Sequence, residues 1–278
     1  MNFFARLFKK RIQPHDPPPV TAGLGIALSG GSARGFAHIG VLKALSEHGV
    51  EPEVIAGTSM GSIVGVLYAA GYTPDEIQEI VTRRRAIRMV RLTWSRRGLF
   101  DMRKVRKTLE SKIKTDDFSA LKKPFFVTVS NINLGKSEII SSGKLFDYVI
   151  ASSSVPVIFA PQVINNVTYV DGGLYNNLPA NAIRDKCKIL IGSHVNYIGK
   201  VDNFHGLRHI AERAFTLGID YNVIPSKKLC DFLIEPPKMQ EYSYWDFGKA
   251  PEIVEVGYNH TKKMIESGQL PIDKLKPQ

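Results

Sequence analysis

Short runs of consecutive apolar residues alternate along the chain with longer segments in which apolar positions recur every three or four residues. The runs at residues 24–28, 54–56, 125–129, 167–170, 188–192 and 232–234 show little polar alternation, so they predict strands buried on both faces of a sheet. A weaker run at 138–140 predicts a strand that pairs with 125–129. Between them, residues 36–48 carry Ile39, Leu42 and Leu45 on one helical face, and Gly49 supplies a C-terminal stop. Residues 60–70 are small and apolar throughout, which predicts a buried helix. Thr73-Pro74-Asp75-Glu76 then gives the next helix an N-cap, a proline at its first position and a capping acid. Further helices are expected at 102–113, exposed and amphipathic, and at 145–151, 207–220 and 253–265. Strands that alternate with helices predict an α/β fold built on a mostly parallel sheet.

Composition narrows this picture. With 278 residues and 44% hydrophobic content, the chain can hold one large domain, expected at 23–278. Residues 1–22 read as an extension, in which Phe3, Phe4, Leu7 and Phe8 fall at helical spacing among Arg6, Lys9, Lys10 and Arg11. Those charges break the apolar stretch a secretory signal needs, but they suit a short helix lying weakly in a membrane interface. No run approaches the ~20 apolar residues of a membrane-spanning helix. Cys187 and Cys230 are too few for a disulfide framework and lack metal-site spacing, which predicts a reducing, cytoplasmic setting. The formal net charge of +11 asks for an anionic partner. Seven arginines lie within residues 83–97, interleaved with Ile87, Met89, Val90, Leu92 and Trp94. That mixture suits an anionic membrane surface, with peripheral attachment to the inner face, and no nucleic-acid module accompanies it. Nothing in the sequence specifies an oligomeric state, and no acidic cluster has the spacing of calcium ligands.

Three loops carry candidate chemistry. Gly57-Thr58-Ser59-Met60-Gly61 is a G-x-S-x-G pentad between a predicted strand and a buried helix, so Ser59 is the candidate nucleophile of a tight elbow. Gly57 and Gly61 would let strand and helix close on each other there. Ser29-Gly30-Gly31-Ser32-Ala33-Arg34-Gly35 joins a strand to a helix, and its amides can point at an anion, either a phosphate or a developing oxyanion. The dinucleotide and Walker spacings do not fit, so an oxyanion hole formed by Gly30, Gly31 and Ser32 fits better. Asp171-Gly172-Gly173 places a carboxylate on a turn at a strand end. Loops at the carboxyl ends of parallel strands gather at one edge of the sheet, and this set points to acyl transfer. His38 reads as a packing or surface histidine. A conventional triad would need a histidine after the acid, and His194, His205, His209 and His260 are available, His194 best placed because it follows a strand. A malonyl-transferase-like enzyme would want a histidine where Thr58 stands. A non-catalytic module that binds lipid surfaces is the alternative from another class.

These motifs resemble those of the patatin-like phospholipase family. The glycine-rich block at 30–35, the elbow at 57–61 and Asp171-Gly172-Gly173 match its three motifs, and Ala151-Ser152-Ser153-Ser154-Val155-Pro156 is similar to its proline-bearing block. The resemblance covers roughly residues 24–198 and implies a three-layer α/β/α fold. It also implies a Ser59–Asp171 dyad without histidine, cofactor or metal, acting on phospholipids, lysophospholipids or other lipid esters. Arg34 would brace the glycine loop or meet a lipid phosphate. A carboxylate with the ordinary pKa of about 3.9 is a weak base, so the dyad requires a desolvated Asp171. The family usually has a third glycine where this chain has Ser32, so a positive φ there would strain the backbone by about 1 kcal/mol.

Overall fold

The computed structural model describes residues 22–82, 102–204 and 206–276. The expected interfacial helix near the N-terminus and the arginine-rich stretch at 83–97 lie outside the described residues. Ala22, placed by the sequence in the extension, opens the first strand instead.

Eight strands form one sheet: β1 (Ala22–Leu28), β2 (Val54–Gly57), β3 (Phe125–Asn131), β4 (Lys136–Ile140), β5 (Gln162–Ile164), β6 (Val167–Asp171), β7 (Cys187–Ser193) and β8 (Phe232–Ile234). Their order is β5-β6-β3-β2-β1-β7-β8, with β4 also paired to β3. The five strands from β3 to β8 are parallel to one another, whereas β4, β5 and β6 add antiparallel pairings at one side. The mostly parallel α/β sheet expected from the apolar runs is therefore observed.

Strand alternation divides the core into two layers. Leu24, Ile26, Leu28, Ile55, Phe125 and Val127 face one side, packed with helices α1 (Ala37–Glu47), α2 (Met60–Ala69) and α3 (Pro74–Thr82). The same layer takes Leu109 of α4 (Arg103–Lys112), Leu145 and Val149 of α5 (Leu145–Ser152), Ile253 of α7 (Ala250–Glu266) and Leu275 of α8 (Ile272–Leu275). Ala27, Val54, Ala56 and Phe126 face the other side, where Leu178, Ile183 and Val223 of α6 (Leu207–Leu229) cover them. Side chains two apart share a face, so continuous apolar strands feed both layers. At the start of α3 the expected capping box forms: the Thr73 amide donates to Glu76 Oε2 at 2.8 Å and the Glu76 amide to Thr73 Oγ1 at 3.3 Å.

Two elements depart from the sequence expectation. The β5–β6 hairpin turns at Asn165 and Asn166, whose φ values of 51° and 63° are those of a tight primed turn. β5 is only three residues long, too short for a periodicity signal. Helix α6 runs on from Asp220 to Leu229 with Pro225 inside it, because burial of Val223 and the Asn222 side chain's bonds to the Gly173 and Leu174 carbonyls hold its later turns.

Helices α1 and α7 touch through their backbones. A Cβ at Gly257 would lie 2.8 Å from the Ala37 carbonyl carbon, and one at Gly40 would lie 2.5 Å from the Tyr258 nitrogen. No rotamer change can relieve a clash with main chain. Gly257→Ala is therefore expected to destabilise the fold by about 2–3 kcal/mol, read as a lower urea midpoint with the same transition slope. An unchanged midpoint would show that the helices separate freely.

Candidate active site

The parallel strands β1, β2 and β7 end level with one another, Leu28 lying opposite both Gly57 and Ser193. Their three following loops thus emerge side by side. After β2 the chain turns sharply at Ser59, with φ 52° and ψ −124°, and enters α2. A serine at positive φ is strained and faces the helix's unpaired amides. The turn can be this tight because neither neighbour has a side chain. A Cβ at Gly57 would lie 2.7 Å from Ser62 Cα, and one at Gly61 would meet the Leu28 and Ser29 carbonyls. Ser62 Oγ donates to the Ser59 carbonyl at 2.7 Å, and the Ser59 amide donates to Ser152 Oγ at 3.0 Å. The proline-bearing block at 151–156 thereby supports the elbow from the end of α5.

Asp171 reaches Ser59 by an unusual route. Val127 of β3 pairs with Gly57 and with Ile140, while Val129 pairs with Asp171 and with Glu138. Since β4 occupies one edge of β3, β2 and β6 must share the other. They run toward each other along it, and their C-terminal ends meet two residues apart. Gly172 fits at the junction, where a Cβ would lie 3.1 Å from Thr58 Cγ2 and would overlap the Thr128 carbonyl.

The carboxylate sits 6% exposed, with Oδ1 accepting the Gly173 amide at 2.8 Å. Burial pushes its pKa up to about 6, against the opposing pull of the Ser59 hydroxyl and the Gly173 amide. Oδ2 makes no hydrogen bond of ordinary geometry among the described residues, so it retains an open acceptor position. The desolvation that a carboxylate base requires is present.

The glycine loop divides its amides. Those of Gly30, Ala33 and Arg34 donate to the carbonyls of Asn177, Tyr244 and Gly31 at 3.0, 3.1 and 3.0 Å. The amides of Gly31 and Ser32 make no hydrogen bond among the described residues, and both residues line the cavity beside Ser59. Gly30 is thus corrected from amide donor to spacer: a Cβ there would lie 3.2 Å from Ser59 Cβ. Ser32 does adopt a positive φ, 49°, so the serine carries the strain a glycine would avoid. Arg34 braces the loop, its Nε donating to the Tyr242 carbonyl at 2.7 Å and its guanidinium stacking 4.4 Å from the Tyr244 ring centre.

None of His38, His194 and His260 lines the cavity beside Ser59, and the side chains of His205 and His209 lie outside the described residues. His38 is fully buried, bonded through Nε2–H to the Ser29 carbonyl and through Nδ1 to the Ser193 hydroxyl, each at 2.8 Å, and burial lowers its pKa to about 4. It ties the glycine loop to β7. His194 is buried against Glu235 at 2.6 Å, which Lys227 also contacts at 2.6 Å, and it does not line the cavity. Sequence reasoning missed two asparagines. Asn196 Nδ2 donates to the Gly30 carbonyl at 2.7 Å, and the carbonyl of buried Asn177 holds the Gly30 amide. Asn177 follows the Asp171 turn closely enough to have been suspected; nothing marked Asn196.

A cavity of about 460 Å³ opens over these groups. Besides Gly31, Ser59 and Asp171, its walls are Val155, Phe159, Leu174, Ala211, Ile219 and Trp245, a lining suited to an acyl chain. Among the described residues no group of three His, Cys, Asp or Glu side chains could hold a metal ion, and no helix is long and apolar enough to cross a membrane.

Comparison with known proteins places this geometry. The sequence model described as patatin-like phospholipase matches residues 26–183. The chain is similar to Lysophospholipase NTE1 of Kluyveromyces lactis, 28% identical over 276 residues, which cover 87% of this chain and 19% of that protein. It is 30% identical over 297 residues to Lysophospholipase nte1 of Aspergillus fumigatus, covering 90% of this chain and 19% of the relative. Patatin-like phospholipase domain-containing protein 7 of Mus musculus is 26% identical over 281 residues, 87% and 20% of the two chains. The chain thus spans about a fifth of the length of these curated relatives. Among solved structures, VipD from Legionella pneumophila shares the fold with a TM-score of 0.51 at 14% identity, over 90% of this chain and 67% of that one.

The raised pKa of Asp171 has a thermodynamic consequence. The folded state holds the proton more tightly than the unfolded chain, so stability falls as pH rises from 3.8 to about 6 and is level above. At pH 8 the buried charge destabilises the fold by on the order of 2–3 kcal/mol. Asp171→Asn is expected to unfold at higher denaturant than wild type at pH 8, the advantage shrinking below pH 6 and vanishing below pH 4. A variant less stable than wild type at pH 8 would mean the carboxylate is not desolvated.

Proposed function

The chain belongs to the patatin-like phospholipase family, and we propose that it is a serine hydrolase of lipid esters, a lysophospholipase, phospholipase A or esterase, in which Ser59 and Asp171 form a catalytic dyad. The observation that carries this reading is a buried carboxylate with its pKa raised to about 6, beside a serine held at positive φ, in a largely apolar cavity. Ser59 Oγ attacks the ester carbonyl carbon and its proton passes to Asp171. The amides of Gly31 and Ser32 stabilise the oxyanion in a site where few waters compete. As the tetrahedral intermediate collapses, Asp171 returns the proton to the departing alcohol. Water then attacks the acyl-enzyme, giving one proton to Asp171, and as the second tetrahedral intermediate collapses Asp171 passes that proton to the departing Ser59 Oγ, which restores the free enzyme and releases the fatty acid.

The lipid surface as partner is supported by the cavity mouth. Val157, which lines the cavity, is 86% exposed at a φ of 71°, unusual for a β-branched side chain. Leu207 is 82% exposed one turn from the lining Ala211. Apolar groups exposed around such an opening suit immersion in a bilayer interface, from which an acyl chain can enter without crossing water. The lysophospholipase names of the curated relatives support the substrate class.

The decisive experiment hydrolyses a panel of phospholipids, lysophospholipids and simple esters with wild type and Ser59→Ala. Activity is expected to fall at least about a thousandfold in the variant, together with loss of fluorophosphonate labelling. Folded wild-type protein that neither labels nor hydrolyses any ester would favour a lipid-binding module on the same fold. The base also sets a pH profile. With Asp171 titrating at about 6, kcat/KM should drop about tenfold per pH unit below that value and level off above it. A rate still rising between pH 7 and 9 would point to a different base.

A further inference from the structure

A second cavity, of about 590 Å³, shares Tyr244 with the apolar one, the tyrosine lining both. Its character is opposite. Arg34, Lys200 and Arg213 contribute three cationic groups, against the carboxylates of Asp202 and Glu241. Lys200 pairs with Asp202 at 2.6 Å, at the exposed rim. Arg213, half-buried on α6, spends one guanidinium N–H on the Gly199 carbonyl at 2.8 Å, and a guanidinium has five donors to give. Arg34 enters from the glycine loop, stacked on the shared tyrosine, so one residue joins that loop to the polar cavity.

We propose that this polar cavity binds the phosphodiester head group of the lipid whose ester lies at Ser59, with Arg213 as its main anchor and Arg34 completing a pair of guanidinium groups. The inference rests on the hydrolase reading given above. A lysophospholipid joins an apolar chain to a phosphodiester through a short glycerol link. A site that hydrolyses it needs an apolar and a cationic compartment close to each other, and the two cavities meet that need by sharing Tyr244. Guanidinium groups suit phosphodiester oxygens because their forked donors engage two oxygens at once.

The test compares substrates that differ only in the phosphate. In matched mixed micelles, kcat/KM is measured for a lysophosphatidylcholine and for the monoacylglycerol of the same chain. Arg213→Gln is expected to lower the ratio of the two about tenfold, and Arg213→Lys to recover part of it. Should Arg213→Gln not fold, Lys200→Ala, which alters only the exposed rim, should lower the ratio about twofold. Equal losses on both substrates, or an unchanged ratio in folded variants, would overturn the assignment. Binding is read separately by titrating glycerophosphocholine calorimetrically into Ser59→Ala, where heat should appear and should vanish when Arg213→Gln is added. Inorganic phosphate that binds more tightly than glycerophosphocholine would also overturn it, since the cavity would then be a generic anion site. If wild type hydrolyses neither ester the hydrolase reading fails, while the calorimetric result still decides the cavity.

Discussion

Strand β3 is long enough to pair with two different strands along one edge, and the active-site geometry depends on that. β2 arrives parallel and β6 antiparallel, so their two C-terminal ends point at each other along β3 and meet. Each ends in a turn that only small residues allow, Gly57 and Gly61 on one side and Gly172 on the other. Ser59 and Asp171, more than a hundred residues apart in sequence, therefore meet through backbone pairing. Hydrogen-bonded strands fix such a meeting more firmly than side chains on mobile loops could.

The site held by this junction is unfavourable in itself. Ser59 and Ser32 both lie at positive φ, and a carboxylate is kept from water with one oxygen that makes no hydrogen bond of ordinary geometry among the described residues. Their environment compensates. Ser152 accepts the Ser59 amide, the Asn177 carbonyl holds the Gly30 amide, Asn196 holds the Gly30 carbonyl, and His38 ties the loop to β7. Stability given up at Asp171 is what raises its basicity, since desolvation drives both. In the proposed dyad, a carboxylate already near a neutral pKa would need no histidine relay.

The surroundings match an amphiphilic ligand. An apolar cavity stands over the serine, a second one bearing three cationic groups shares Tyr244 with it, and Arg34 belongs to both the glycine loop and the second cavity. The thin cover on the α6 face of the sheet leaves apolar side chains beside the opening, where a bilayer could receive them.

Much was legible in the sequence, because apolar runs and glycine-bearing turns act over a few residues. Buried strands, the amphipathic helices, the elbow at Ser59 and the turn at Asp171 follow from local sterics and periodicity, and so does the fold class. The Asn165–Asn166 hairpin carried its turn signal but had strands too short to show a period. What the local chain could not disclose is which groups remain unpaired after folding. Gly30, Gly31 and Ser32 look alike as loop amides, yet the Asn177 carbonyl takes the first and leaves the other two. His194 follows a strand as a triad histidine might, but Glu235, itself paired with Lys227, holds it elsewhere. Sequence by itself determined most of the elements and singled out the candidate side chains; tertiary structure alone decided their partners, because hydrogen bonding and desolvation depend on what long-range packing brings within a few ångströms.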